Sequence, residues 1–375
     1  MENYRQFFPI TRHKTYLNHA AVAPLSLKVR KALRTYYKIR SEKKPGNWGQ
    51  ATQTASELKN MFAKLINTNS SDRIAFTQNT THGLNIIASG LNWQADDEIL
   101  IPEREFPANV YPFKNLERQG VKIKFLPADA GGITSQTLLS NITKKTKMLS
   151  ISFVEFLSGY KHNMQALGQI CHDKNILFIV DSIQGLGAIP FDVEKYKIDG
   201  LANGAHKWLM APQGLGFLYI TQQLQDKINQ SHLGWTGLEN FEDFLNYNRK
   251  PVQSAARYEL GTLNFAGIIG AHAALKFLLE VGIENIYQNL IKITEHAIKG
   301  LNDLGFRLYT NPDKKYRSGI ITFYPKNNSR DLFQTLIDKN IICSLRDGMI
   351  RIAPHFYNHK KDIDQVLNVC EDFLK

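Results

Sequence analysis

The sequence predicts an α/β fold, in which helices cover both faces of a largely parallel β-sheet. Between residues 73 and 220, short apolar runs rich in β-branched residues alternate with segments of helical length. Such runs are typical of strands buried on both faces, and helix-length connections let neighbouring strands run parallel. After about residue 265 the pattern changes to two long helices followed by mixed strands and helices. That change predicts a smaller α+β domain at the C-terminus.

Each predicted element has its own local signal. An amphipathic helix over 26–40 ends at the turn Lys44-Pro45-Gly46-Asn47, and a second helix covers 51–67. The strands predicted next are 73–78, 97–102, 121–127, 148–154, 176–181 and 215–220. The helices predicted between them are 82–91, 109–120 and 164–175. The C-terminal part is predicted as helices 266–282 and 284–305, strand 319–325, helix 331–340, strands 341–346 and 349–353, and helix 361–375.

Composition limits the class of protein. The chain has 375 residues, of which 43% are hydrophobic and 21% charged, and these values exclude disordered, collagen-like and coiled-coil chains. We expect no membrane span and no secretory signal, since no run of 18 apolar residues and no cleavable apolar leader is present. The three cysteines lie far apart, which fits a reducing cytoplasm and no metal site. The net charge of +12 is spread along the chain without a nucleic-acid-binding motif, so no nucleic-acid partner is expected.

Polar residues follow two of the predicted strands at their carboxyl ends, where open parallel sheets bind ligands. Thr80 and Thr81 follow the first strand and enter a helix, whose N–H groups could hold an anion, although a threonine that only caps the helix explains the same pattern. Asp181 ends an apolar strand. A protonated pyridine-type nitrogen would be a suitable partner for this acid, but a carboxylate that only caps the next turn is the alternative.

Lys207 lies between apolar neighbours in the segment GAHKW. Desolvation would lower its pKa and make the amine a nucleophile for Schiff-base chemistry, whereas a surface lysine along Trp208 is the alternative.

The segment Gly185-Leu186-Gly187 lacks the third glycine of a dinucleotide fingerprint, which disfavours a nicotinamide oxidoreductase. A phosphate-binding helix end, a carboxylate and an amine together match the phosphate, the ring nitrogen and the aldehyde of pyridoxal 5′-phosphate (PLP).

With these motifs the chain resembles the fold-type I, class V aminotransferase group, which includes cysteine desulfurases, selenocysteine lyases and isopenicillin-N-epimerase-like proteins. The resemblance rests on TQNTTHGLNIIASGL, IVDSIQGLGAIPFDV, GAHKWLMAPQGLGFLYI and RYELGTLNFAGIIGAHAAL. It implies a seven-stranded, mostly parallel sheet in a large PLP-binding domain over 19–268 and a small C-terminal domain over 269–375. It further implies an N-terminal segment, 1–18, that packs with the small domain. A cytoplasmic homodimer that acts on a small amino acid is also implied.

The resemblance assigns roles to individual residues. Lys207 matches the Schiff-base lysine, Asp181 the partner of the pyridine nitrogen, and Arg351 the residue that holds the substrate carboxylate. The further cofactor-binding residues are Thr80, Thr81 and His206 at the phosphate, Gln184 at the phenolic oxygen, Phe106 on the ring, and Gly261 and Thr262, which reach the phosphate of the other subunit.

Departures from the family pattern bear on the reaction. Phe106 follows Glu105 where desulfurases carry a histidine, Phe156 stands where an asparagine is common, and Gly204 replaces a phosphate-binding serine. Cys343 lies in a predicted strand before a tight Arg-Asp-Gly turn, so we expect a buried thiol and no mobile nucleophile loop.

These departures favour transamination or epimerisation at Cα, with cysteine desulfurase or selenocysteine lyase as the alternative. A non-catalytic PLP-binding scaffold is a further alternative. Four residues could line the substrate pocket or be structural: Trp48, Trp235, Tyr258 and Arg346.

Overall fold

The computed structural model describes residues 2–128, 131–326 and 328–375. Its α-helices are, in chain order, α1 (Leu27–Glu42), α2 (Trp48–Ile66), α3 (Thr80–Gly90), α4 (Tyr111–Lys114), α5 (Ser135–Leu139), α6 (Met164–Asp173), α7 (Gln222–Lys227), α8 (Phe265–Val281), α9 (Ile283–Asp303), α10 (Ser329–Asp338) and α11 (Lys360–Leu374). Its strands are β1 (Thr15–Tyr16), β2 (Ile74–Thr77), β3 (Glu98–Pro102), β4 (Lys122–Leu126), β5 (Thr146–Ser152), β6 (Leu177–Asp181), β7 (Gly200–Gly204), β8 (Gly216–Ile220), β9 (Arg307–Leu308), β10 (Ile321–Tyr324), β11 (Ile341–Ile342), β12 (Ser344–Arg346) and β13 (Met349–Ile352).

Seven strands form the central sheet, in the order β2-β8-β7-β6-β5-β3-β4. β8 runs antiparallel to β2 and β7, and the other neighbouring pairs are parallel. The register pairs Ser152 on β5 with Asp181 on β6, and Asp181 with Ala202 on β7. Asp181 therefore ends a strand in the middle of the sheet, and the predicted α/β fold with a mostly parallel sheet is confirmed.

Side chains on alternate positions of the strands enter two different cores. Leu100 of β3 belongs to one core, whereas its neighbours Ile99 and Ile101 belong to the other. Val180 and Ile179 of β6 divide in the same way. Because successive side chains of a strand point to opposite faces, this division means that helices cover the sheet on both faces. Each such buried aliphatic side chain stabilises the fold by roughly 1.5–3 kcal/mol.

The C-terminal part contains an antiparallel sheet in the order β12-β13-β10-β9. It has a separate apolar core to which α9, α10 and α11 contribute. β1 pairs with β11 in parallel, which ties the N-terminal segment to this part of the chain. The boundary expected near residue 268 falls inside α8, which packs against α1 and α2. The division into 1–18, 19–268 and 269–375 remains a prediction.

Several elements differ from the sequence-based prediction: β1, α5, α7 and β9 were not predicted, and the predicted strand over 341–346 is divided into β11 and β12. The strand β7 was not predicted, because its sequence GLANG contains glycine, alanine and asparagine, which have low β propensity. Small residues are needed there because α3 approaches closely: a Cβ on Gly83 of α3 would lie 3.0 Å from the Cβ of Ala202. The predicted helix over 109–120 is only the single turn α4 between 3₁₀ turns.

We find no single helix in the described ranges that is both long and apolar enough to span a membrane. Within these ranges, α8 and α9 pass by length and composition when they are taken together, and the pair is bent by 75°.

Candidate functional site

A cavity of about 370 Å³ lies at the carboxyl ends of the central strands. Its lining includes seven of the predicted site residues: Thr80, Thr81, Phe106, Gln184, His206, Lys207 and Arg351. Residues that lie more than 270 positions apart in the chain therefore meet at one place. This is the position at which open α/β sheets bind their ligands.

The two threonines lie where α3 begins, directly after β2. The side chain of Asn79, and not a threonine, caps α3 by accepting a hydrogen bond from the N–H of His82 at 2.9 Å. The hydroxyl of Thr80 is buried and has no hydrogen-bond partner among the described residues. A Cβ on Gly204 would lie 3.3 Å from that hydroxyl. The threonine hydroxyl is thus available to a ligand at the positive end of a helix.

Asp181 has one engaged and one free carboxylate oxygen. Its Oδ1 accepts a hydrogen bond from the N–H of Ile183 at 2.9 Å, whereas its buried Oδ2 has no partner in the part of the chain described. The predicted turn cap is therefore present, but it uses only one oxygen. Burial raises the pKa of Asp181 to about 6, against the opposing effects of the Ile183 N–H and the charge of Lys207. A cationic partner at Oδ2 would relieve this cost.

Lys207 follows β7 and is only 7% exposed, so the alternative of a surface lysine is wrong. Burial lowers the pKa of Lys207 to about 8; the negative charge of Asp181 opposes this shift, whereas the positive charges of Arg351 and Arg346 add to it. A substantial fraction of the amine is consequently neutral near pH 7–8. Its Nζ lies 5.2 Å from the ring centroid of Phe106. A buried, partly neutral amine is the form that attacks an aldehyde.

Gln184 and His206 also line the cavity. The amide oxygen of Gln184 accepts a hydrogen bond from the indole of Trp208 at 2.9 Å, and its amide nitrogen donates to the carbonyl of Ala20 at 3.1 Å. The second N–H of that amide remains for a ligand oxygen. His206 is half-buried, and burial together with the neighbouring charge of Lys207 lowers its pKa.

Arg351 lies on β13 and is buried, and only part of its guanidinium has hydrogen-bond partners among the described residues. Its Nη1 donates to the carbonyl of Phe156 at 2.6 Å, whereas its Nε has no partner among the described residues. Burial, helped by the charge of Arg346 and opposed by Glu155, lowers its pKa to about 10. The group stays charged at neutral pH, and a carboxylate is the ligand that a guanidinium fork fits best.

Two buried glutamates support the site, and the sequence reasoning assigned neither of them a role. Glu155 accepts hydrogen bonds from the N–H groups of Leu157 at 3.0 Å and Ser158 at 2.5 Å, which fixes the turn whose carbonyl holds Arg351. Glu105 accepts from both the N–H and the hydroxyl of Ser152 at 2.6 Å and so anchors the loop that carries Phe106. For Glu155 the available signal was an acidic residue inside the apolar stretch SFVEFL, whereas Glu105 directly follows the charged residues Glu103 and Arg104 and has no such signal.

Phe106 lies at the entrance of the cavity. The residue is 40% exposed, and its ring meets Phe156 edge-on at a centroid distance of 5.3 Å. The sequence reasoning also overlooked the segment that carries Ala20, Ala21 and Val22, which lines the same cavity. These apolar groups restrict access to the amine of Lys207 from the solvent.

Gly261 and Thr262 lie outside this cavity. Thr262 lines a separate groove of about 520 Å³ with Trp48 and Phe265, and the indole nitrogen of Trp235 lies 3.3 Å from where a Cβ of Gly261 would be.

Of the four residues expected to line the substrate pocket or be structural, only Arg346 lines the cavity. Trp48 and Trp235 stack on each other at a centroid distance of 6.3 Å, and Tyr258 is buried elsewhere.

Cys343 lies between β11 and β12 in the core of the C-terminal part. It is 4% exposed, and burial raises the pKa of its thiol to about 12. β12 and β13 pair through Arg346 and Met349, and only Asp347 and Gly348 lie between them. The predicted tight turn and buried thiol are confirmed. The two other cysteines are buried as well.

The buried polar groups fit PLP as a ligand. Three of them are unsatisfied within the described structure: Thr80 Oγ1, Asp181 Oδ2 and Arg351 Nε. Unpaired buried polar atoms cost about 1–3 kcal/mol each, so a native protein retains them where a ligand satisfies them. A phosphate, a protonated ring nitrogen and a substrate carboxylate would be their respective partners.

Comparisons with known proteins agree with this geometry. Residues 15–366 match the family model described as aminotransferase class-V. A "Probable cysteine desulfurase" of Ureaplasma parvum serovar 3 is 31% identical, over 100% of this chain and 98% of the relative. The apo structure of a cysteine desulfurase from Thermococcus onnurineus NA1 superposes with a TM-score of 0.90 at 25% identity, over 99% of this chain and 97% of that one. A C-DES variant with glycine covalently linked to its PLP cofactor has the same fold, with a TM-score of 0.90 at 24% identity over 98% and 99% of the two chains.

These comparisons confirm the expected family, fold type and cofactor. They favour the desulfurase alternative over the expected transaminase or epimerase. This chain therefore belongs to the class-V aminotransferase family of PLP-dependent, fold-type I enzymes.

Proposed function

We propose that this protein, like its desulfurase relatives, uses PLP to remove sulfur from L-cysteine or a related amino acid, and that it releases the sulfur by elimination. The observation that carries the proposal is the meeting, in one cavity, of the buried amine of Lys207 and the guanidinium of Arg351, with Lys207 close enough to Asp181 for their charges to act on each other. The names of the relatives support sulfur as the leaving group. The same residues could also support transamination or epimerisation at Cα, so the reaction has to be identified from its products.

Each residue has a defined task in this proposal. Bound PLP supplies an aldehyde for the amino group and an electron-accepting ring that stabilises negative charge at Cα. Arg351 holds the substrate carboxylate and so fixes which bond at Cα faces Lys207. Lys207, with its pKa lowered to about 8, takes the proton from Cα and gives it to the sulfur that leaves or to the carbon that accepts it. Asp181 keeps a proton on the ring nitrogen through its Oδ2.

The burial of the thiols supports release of sulfur without transfer to this protein. All three cysteines are buried, and burial raises the pKa of Cys343 to about 12. A buried thiol of that pKa is a poor nucleophile. Elimination from L-cysteine with one water gives hydrogen sulfide, pyruvate and ammonia, whereas transfer to a protein thiol would give alanine. The two routes thus differ in their carbon product.

Product analysis tests the proposal. Purified, PLP-loaded protein is incubated with L-cysteine, and sulfide, pyruvate, ammonia and alanine are measured. We expect sulfide and pyruvate in equal amounts, lost in Lys207→Ala and retained in Lys299→Ala, which removes an exposed lysine of α9. Transfer of the amino group to a keto acid, or formation of a D-amino acid, without sulfide would contradict it.

The protein is further proposed to be a cytoplasmic homodimer. Thr262 lies on a groove that α1, α2 and α8 form with the aromatic rings of Trp48 and Phe265. An apolar groove of this kind is typical of a subunit contact, and it would place Gly261 and Thr262 beside the partner's phosphate, as the resemblance implies. A solution mass of one chain for the loaded protein would contradict this assignment. The free state of the three cysteines fits a reducing compartment.

A further inference from the structure

Trp208 follows Lys207 directly in the chain, but the two side chains have different surroundings. Lys207 lines the cavity, whereas Trp208 is fully buried in the apolar core. The indole N–H of Trp208 donates a hydrogen bond of 2.9 Å to the amide oxygen of Gln184, which lines the cavity. A polar contact thus links the core to the residue that the resemblance places at the phenolic oxygen of PLP.

Two contacts fix the orientation of the Gln184 amide. Its oxygen accepts from the indole of Trp208, and its nitrogen donates to the carbonyl of Ala20 at 3.1 Å. If the amide turned over, its N–H groups would meet the indole N–H and its oxygen would meet that carbonyl, so both hydrogen bonds would become repulsive contacts. Without the indole N–H, the contact with Ala20 alone would select the orientation. The indole therefore ensures that the group left for a ligand is an N–H and not the amide oxygen.

Trp208 is itself fixed from the C-terminal part of the chain. Its carbonyl accepts a hydrogen bond of 3.1 Å from Nε2 of the buried His355. The Nδ1 of that histidine accepts from the N–H of Phe356 at 2.8 Å, which assigns the ring proton to Nε2. The indole also packs so closely that a Cβ on Gly319 would lie 2.5 Å from its Cη2. Such close packing leaves the ring little room to move, so its N–H is a fixed donor.

We propose that Trp208 is a positioning residue, which acts on bound PLP through the amide of Gln184. With Trp208 in place, the amide offers an N–H to the phenolic oxygen of the cofactor. A donor at that oxygen stabilises its negative charge, so bound PLP should lose its proton at a lower pH than it would without the donor. The inference rests on the PLP cavity and not on the leaving group, so it goes beyond the proposed function and holds whichever reaction the protein catalyses.

Trp208→Phe tests the inference, because it removes the indole N–H and keeps an aromatic ring. Two quantities are measured for the PLP-loaded protein: the pH at the midpoint of the change in visible absorption, and the dissociation constant of PLP. The loss of one hydrogen bond predicts a midpoint higher by about 0.5–1 pH unit and PLP binding weaker by about three- to tenfold. Trp93→Phe is the matched control, since Trp93 donates its indole N–H to the carbonyl of Ala88 at 2.8 Å and packs against the core on the other face of the sheet. It should leave both quantities unchanged.

A double-mutant cycle separates positioning from general damage to the fold. Gln184→Leu removes the amide, so adding Trp208→Phe to it should not move the midpoint further. An equal further shift in that background, or an unchanged midpoint in Trp208→Phe alone, would overturn the inference. If Trp208→Phe does not fold, benzothienylalanine in place of Trp208 keeps the shape of the ring, has sulfur where the N–H was, and should give the same shift. Sulfide release enters none of these outcomes, so a failure of the proposed function would leave them as they are.

Discussion

Replacement of Cys343 by alanine is expected to leave sulfur release unchanged. With a pKa of about 12, only about one thiol in 10⁵ is ionised at pH 7, compared with a few per cent for an exposed cysteine. A route through this thiolate would therefore be slowed by about 10³-fold before access is considered. Since Cys343 is packed in the apolar core, losing Sγ should cost about 1–2 kcal/mol of unfolding free energy.

The assay combines urea unfolding with sulfide and pyruvate release from one preparation of the variant. Cys370→Ala is the matched control, because Cys370 is buried in the same core. Both variants should lose similar stability and keep kcat within about twofold of the parent. If Cys343→Ala stays folded and loses sulfide release while Cys370→Ala retains it, the thiol is a nucleophile and the reasoning from burial fails.

Three further predictions concern the titrating and charged groups of the cavity. The rate at which cofactor-free protein takes up PLP should rise tenfold per pH unit below about pH 8 and level off above it, because Lys207 must be neutral and its pKa is about 8; a rate that still rises at pH 10 would exclude a desolvated amine. The folded-state pKa of Asp181, about 6, lies above its usual value of about 3.9, so the stability of the cofactor-free protein should fall by about 2 kcal/mol as pH rises from 4 to 6. Asp181→Asn should abolish that slope in urea unfolding and weaken PLP binding, and an unchanged slope would refute the role of burial. Arg351→Gln should raise KM for L-cysteine at least tenfold while the visible spectrum of bound PLP persists; an unchanged KM would remove Arg351 from carboxylate binding.

The sequence predicted the buried strands well because their signal is local. The apolar run of β6 and its terminal Asp181 are contiguous in the chain, so both the strand and the acid at its end could be recognised. β7 could not be recognised in this way, since its small residues reflect the approach of α3 at Gly83. That contact is tertiary and leaves no periodic pattern in β7 itself.

The site was predicted unevenly for the same reason. Residue types with distinctive chemistry, such as Lys207 and Asp181, were found from their positions at strand ends. The supporting role of Glu155 was not predicted, because it depends on contacts within its own turn. The carboxylate accepts hydrogen bonds from N–H groups of that turn, and the carbonyl that accepts from Arg351 belongs to the same turn. The residue that caps α3 could not be predicted either; in the structure it is Asn79, which leaves the hydroxyl of Thr80 free.

The most direct measurement is borohydride reduction of the PLP-loaded protein followed by peptide mass spectrometry. A covalent link between the cofactor and the amine at the end of β7 predicts one pyridoxyl group per chain, on Lys207. A label on a different lysine, or no label on protein that has bound PLP, would contradict the assignment of this cavity as the active site.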